Sequence, residues 1–97
     1  MTSSGPAIIA LIIEALSDGG LSGGLPKVLS EELIMEMILG TISLIKENQL
    51  TPSELKNLVT SPGGTTISAL RVLEKKSIRS ALIESIVSAS KRSKEFN

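Results

Sequence analysis

The sequence predicts an all-α fold of about five helices, and three observations lead to this prediction. Apolar residues recur at helical spacing, and no segment shows the alternation of apolar and polar residues that a half-exposed strand needs. Prolines and glycines divide the chain into helix-sized segments. Any core must be built from aliphatic side chains, because Phe96 is the one aromatic residue. The 97 residues correspond to one small domain, residues 1–97.

Composition argues against several kinds of function. Lys plus Arg and Asp plus Glu number 10 each, so the chain lacks the net positive charge of a nucleic-acid-binding domain. Cysteine and histidine are absent, which removes disulfides, a thiol nucleophile, imidazole catalysis and the usual zinc ligands. We therefore expect no nucleic-acid partner and no metal, in a protein of the cytoplasm.

The first helix is predicted to have Pro6 in its first turn and to end near Asp18, where Gly19 and Gly20 follow. Its apolar run, Ala7 to Leu16, is shorter than the ~20 residues that a bilayer span needs, and it lacks the flanks of a signal peptide. This segment therefore predicts no membrane partner.

The second helix is predicted to have Pro26 in its first turn, Lys46 near its end and an apolar run from Leu33 to Ile45. Both the first and the second helix carry apolar residues around almost the whole circumference, and a chain of 97 residues can hardly bury two such helices. We therefore expect an intertwined homodimer. The neighbouring carboxylates of this helix indicate a solvated face rather than a metal site; they are Glu31, Glu32 and Glu36.

The third helix is predicted to begin with Thr51 as N-cap, Pro52 as the first helical residue and Glu54 completing a capping box. Ser77 is predicted to start the last helix. That helix carries a single apolar stripe, formed by Ile78, Leu82, Ile83, Ile86 and Val87.

Between the third and fourth helices lies a turn whose proline and glycines, residues 62–64, leave backbone amides uncovered. Thr65 or Thr66 is the expected N-cap of a helix that begins at Ile67. Free N–H groups at the positive end of a helix dipole form a small anion site. A capped loop that binds nothing is the alternative, and loop chemistry alone favours it.

These residues, together with others along almost the whole chain, resemble the pyrroline-5-carboxylate reductases. The most specific part of the resemblance is the turn with the residues that flank it. The matching segments are residues 4–7, 14–16 with Asp18 and Gly20, 24–26, Pro52 with residues 54–56, residues 60–67, 69–70, 73–74, Arg79 with Ala81, and residues 92–93.

The resemblance implies a part of such an enzyme, the C-terminal helical domain that dimerises. The family's N-terminal Rossmann domain, which holds NADP or NAD, has no counterpart here, because no Gly-x-Gly-x-x-Gly occurs in the sequence. This chain alone should therefore be inactive. Ile8 stands where the family often has an aromatic residue, and Gly19 and Gly23 stand where alanine is common.

The resemblance also implies a reaction, the transfer of hydride to the C=N carbon of a cyclic imine to give L-proline. Amides around Gly63, Gly64 and Thr65 would bind the carboxylate of this imino acid, and a hydroxyl of Ser61 could assist them. The family places the hydroxyl of Thr66 at the ring nitrogen, and no residue here is an obvious proton donor. Family members form homodimers and often rings of dimers. The alternative is a stand-alone helical dimerisation or interaction module without catalytic activity.

Overall fold

The computed structural model describes residues 3–60 and 64–93, and in these ranges it contains five helices and no strand. The predicted all-α class is therefore confirmed. In chain order the helices are α1 (Gly5–Ser22), α2 (Lys27–Glu47), α3 (Pro52–Thr60), α4 (Gly64–Lys75) and α5 (Ile78–Ser93).

Helices α1 and α2 pack against each other and form one compact unit, Gly5–Thr51. Two serines lie at the centre of the contact, where Ser17 is 3% and Ser30 is 1% exposed. The hydroxyl of Ser30 donates a hydrogen bond of 2.8 Å to the backbone carbonyl of Ser17. The most buried part of the helix pair is therefore polar rather than apolar.

Helix α1 continues past the point where the sequence predicted its end. Gly19 and Gly20 lie inside the helix, and Gly24, with φ at 102°, follows its last turn. The amide of Leu25 donates to the carbonyl of Gly20 and that of Gly24 to Leu21, which is a Schellman motif. The prediction was wrong because it took the first glycine pair as the stop, whereas the left-handed residue that ends the helix belongs to the second.

Helix α2 begins slightly later than the sequence predicted. Pro26 is its N-cap, with φ −61° and ψ 148°, and Lys27 is its first helical residue. Lys46 lies in the last turn of α2, as expected. The helix is followed by Gln49, which has a positive φ of 52°.

Helices α3, α4 and α5 belong to the second compact unit, in which α4 packs against both of the others. The predicted first residue of α3, Pro52, is confirmed. Between α4 and α5, Arg79 Nε lies 2.7 Å from a carboxylate oxygen of Glu74. Both side chains are more than half exposed, so this ion pair contributes at most ~1 kcal/mol to stability.

Ser77 joins α4 to α5 in a left-handed conformation, with φ at 61°. Because glycine adopts this conformation without a Cβ penalty, we expect Ser77→Gly to raise the free energy of unfolding by about 1 kcal/mol. Chemical denaturation measures the change. The matched control is Ser88→Gly inside α5, which should lower stability by a similar amount because glycine is a poor helix former. Equal effects of the two substitutions would contradict the prediction.

The described residues contain no buried hydrophobic side chain. Large apolar side chains are exposed on every helix, and the most exposed are Val28 at 68%, Leu39 at 66% and Leu11, Leu58 and Ile83 at 64% each. The apolar side chains that surround α1 and α2 therefore remain exposed in the single chain.

Among the described helices, α1 is long and apolar enough to cross a membrane by length and composition, with a mean hydropathy of 1.3 over its 18 residues. The helix reaches this length because it extends on both sides of the apolar run Ala7–Leu16 from which the sequence predicted no membrane partner. Core helices of soluble proteins meet the same criterion, so the finding is weak evidence for a membrane span.

Candidate functional site

The predicted anion site lies at the start of α4. Gly64 is the first residue of this helix, and Thr65 and Thr66 follow it in the first turn. Ser61 and Gly63, the other two predicted site residues, lie outside the described residues.

The helix begins at Gly64 rather than at Ile67, so neither threonine is the N-cap that the sequence predicted. This earlier start brings three more backbone amides into the first turn of the helix. The first N–H groups of a helix have no intrahelical carbonyl partner, and Gly64, Thr65 and Thr66 supply three of them. The first turn carries no acidic residue, so no carboxylate of its own competes for them.

Gly64 is exposed, and a Cβ built on it would meet no atom within 4 Å in the described part of the chain. The φ of Gly64 is not in the left-handed region. The positive φ that a glycine in a tight turn can adopt is therefore not used at this position. Glycine at this position leaves the place of a Cβ open beside the first amides of the helix.

The two threonines do not share one direction. Successive helical residues point about 100° apart, and Thr66 is half-buried whereas Thr65 is exposed. The first turn therefore holds one partly enclosed hydroxyl, that of Thr66, beside amides that have no intrahelical partner. Thr65 contributes its amide to the same turn.

This end of the helix offers positioning chemistry rather than acid–base chemistry. The first turn contains hydroxyls, amides and no titratable side chain. The described residues include no group of acidic side chains that could hold a metal ion. Such a turn can bind and orient an anion, and a reacting partner must come from elsewhere.

A second concave surface, which the sequence did not predict, lies in the α1–α2 unit. We call it the serine cavity. It has a volume of about 270 Å³ and is lined by Leu11, Glu14, Ala15, Ser17, Asp18, Leu21, Lys27 and Glu31. Glu31, which the sequence analysis placed on a solvated face, is thus half-buried at a cavity. The glycine pair inside α1 was the available signal, because glycine within a helix permits close packing.

A sequence model of one protein family, described as "Pyrroline-5-carboxylate reductase dimerisation", matches residues 1–96. Curated proteins named pyrroline-5-carboxylate reductase are similar to this chain. The Synechocystis protein is 50% identical over 96 residues, covering 99% of this chain and 36% of the relative. The Glycine max protein is 44% identical over 97 residues, covering 100% of this chain and 35% of the relative. The chain thus spans about a third of the length of the curated relatives it matches.

A crystal structure of pyrroline carboxylate reductase from Plasmodium falciparum with NADP bound is similar in fold. Its TM-score is 0.89 at 35% identity, with 94% of this chain and 35% of that chain covered.

Proposed function

Because this chain belongs to the pyrroline-5-carboxylate reductase dimerisation family, we propose that it is the substrate-binding and dimerisation domain of such a reductase. The enzyme would reduce 1-pyrroline-5-carboxylate to L-proline, the last step of proline biosynthesis, in the cytoplasm. The observation that carries the substrate assignment is the first turn of α4, where amides without an intrahelical partner lie together with one half-buried hydroxyl and an open Cβ position at Gly64.

The substrate carries a carboxylate beside a cyclic imine, and the first turn of α4 has complementary groups for both. The amides of Gly64 and Thr65, joined by Gly63 and the Ser61 hydroxyl, bind the carboxylate at the positive end of the helix dipole. The Thr66 hydroxyl meets the ring nitrogen and fixes the orientation of the C=N bond. The role of this domain is therefore positioning, which can supply a large share of a rate enhancement.

The nicotinamide cofactor does not fit the residues of this chain. The sequence has no Gly-x-Gly-x-x-Gly, and the described residues form no strand that could precede such a loop. The NADP or NAD that the reaction requires would be held by another part of the reductase, and this chain alone would be inactive.

Dimerisation is proposed from the exposed apolar surfaces. Leaving a large aliphatic side chain in water forgoes about 1.5–3 kcal/mol, and the described residues bury no hydrophobic side chain. A second copy that intertwines with the first would cover these surfaces, and larger rings of dimers extend the same assembly. The apolar face of α1 is then an interface rather than a membrane contact.

Thr66→Val in the reductase that contains this domain tests the substrate assignment. Valine keeps the shape and removes the hydroxyl, and losing a hydrogen bond to a charged group costs about 1.5–3 kcal/mol, or roughly ten- to a hundredfold in kcat/KM. Steady-state kinetics with pyrroline-5-carboxylate measure the effect.

Two companion variants make the test specific. Thr66→Ser should retain most activity because it keeps the hydroxyl, and Thr65→Val should have a small effect because it keeps the amide. Unchanged kinetics in Thr66→Val would mean that the first turn of α4 does not bind the substrate. That result would favour the alternative, a helical dimerisation module that binds no imino acid.

A further inference from the structure

The serine cavity contains a buried polar group without a partner. Ser17 lines this cavity and is 3% exposed, and its hydroxyl makes no hydrogen bond within the described part of the chain. Burying a hydroxyl without a hydrogen bond costs free energy, and such groups in native proteins normally find a partner. An unpartnered hydroxyl therefore belongs to one of the residues that line the cavity.

The charges around the cavity indicate the chemistry of this occupant. Glu14, Asp18 and Glu31 face a single cation, Lys27. No acidic cluster in the described residues is arranged to hold a metal ion. A cationic organic group, such as a lysine or arginine side chain, would complement the excess negative charge.

The chain itself carries such groups. Its net charge is zero, but the acidic and basic side chains are concentrated in different parts of the sequence. Residues 5–51 contain six carboxylates and two lysines, a net charge of −4. Residues 52–97 contain four carboxylates and eight basic side chains, a net charge of +4. Two copies of this chain can therefore attract each other when the acidic part of one meets the basic part of the other.

Within the basic part, the end of α5 carries exposed cations that can dock. Lys91 and Arg92 are exposed and form no ion pair in the described residues, whereas Arg79 is engaged by Glu74. Both line a groove of about 450 Å³ together with Glu84, Val87 and Ser88. Val87 is 46% exposed, so this helix end combines charge with apolar surface, as the serine cavity does.

We propose that, in the homodimer, the serine cavity of each chain receives the Lys91–Arg92 end of α5 from the second copy. The inference rests on the dimer proposed above and names its charged contact. Twofold symmetry makes the contact occur twice, once in each direction. A lysine or arginine in the cavity neutralises Asp18 and Glu31, which line it beside Ser17.

Charge reversal on opposite sides of the contact tests it. One variant of the 97-residue chain carries Asp18→Lys and Glu31→Lys, and another carries Lys91→Glu and Arg92→Glu. Alone, each variant places like charges at both contacts, so its dimer Kd should rise about tenfold or more. Mixed in equal amounts, the two variants should form a heterodimer, because one contact keeps its original charges and the other has both reversed.

A second pair of variants with the same net charges controls for long-range attraction. Glu32→Lys with Glu36→Lys, and Lys75→Glu with Lys76→Glu, change exposed side chains that line neither the serine cavity nor the α5 groove. This control pair should form homodimers and heterodimers without preference at moderate salt. Sedimentation and native mass spectrometry measure the species, and far-UV circular dichroism confirms that each variant is helical.

The outcomes separate this contact from the dimer itself. A monomeric wild-type chain would contradict the dimer and the contact together. A dimeric wild type whose cavity and α5 variants assemble as before would leave the dimer intact and overturn the contact. Weakened variants that do not recover on mixing, or recover no better than the control pair, would also overturn it.

Discussion

Leu39→Asp should dissociate the dimer and unfold most of the chain with it. Leu39 is 66% exposed on α2, one turn from Met35 and Ile42, which are also exposed. In a dimer that covers this face, the substitution loses the burial of a leucine, about 1.5–3 kcal/mol, and adds the desolvation of a carboxylate. The cost occurs twice per dimer, so the combined loss is on the order of 5 kcal/mol or more, comparable to the whole stability of a small domain.

Sedimentation at micromolar concentration, together with far-UV circular dichroism, measures assembly and helicity in the same samples. The matched control is Asn57→Asp, which adds the same charge at an exposed polar position of α3 and should leave both unchanged. A soluble, fully helical monomer of the wild-type chain would refute the dimer. A Leu39→Asp variant that assembles normally would show that this face of α2 lies outside the interface.

The helices were predictable from local sequence because the residues that begin them act locally. Pro52 marks the start of α3 wherever the chain folds, since it needs no hydrogen bond to its nitrogen. Ser77 was expected to start α5, which begins one residue later at Ile78, and Ser77 itself has a positive φ in the connection from α4. A positive φ at a residue other than glycine depends on the two helices that it joins, and no local pattern indicates it.

Two features of the α1–α2 unit were not predicted, because they depend on the contact between these helices. Gly20 was interpreted as a helix stop, although it lies inside α1, at the point where that helix approaches Ser30. The serine cavity was missed for the same reason, since its lining residues come together only when α1 and α2 pack. At the candidate site the residue types were predictable, whereas the helix start at Gly64, and with it the different directions of the two threonines, required the fold.

Gly20→Val should destabilise the α1–α2 unit by about 3 kcal/mol. A Cβ at Gly20 would overlap the Ser30 hydroxyl and would lie 3.2 Å from Ser30 Cβ and 3.4 Å from Leu25 Cδ1. Overpacking at a tight site costs typically about 1–3 kcal/mol. Moving the Ser30 hydroxyl away also breaks its hydrogen bond to the Ser17 carbonyl, which adds about 1 kcal/mol. The helix propensity gained on replacing glycine offsets only a few tenths of this.

The neighbouring glycine supplies the matched control for this prediction. A Cβ at Gly19 meets nothing within 4 Å, so Gly19→Val should change the free energy of unfolding by less than about 0.5 kcal/mol. Ser30→Ala removes the hydroxyl that the new side chain strikes, so Gly20→Val should cost less in that background, by about 1 kcal/mol. Chemical denaturation at one fixed protein concentration measures all four variants, because the stability of a dimer depends on concentration. Equal losses at Gly19 and Gly20 would show that the glycine pair acts through helix propensity and that the approach to Ser30 does not constrain α1.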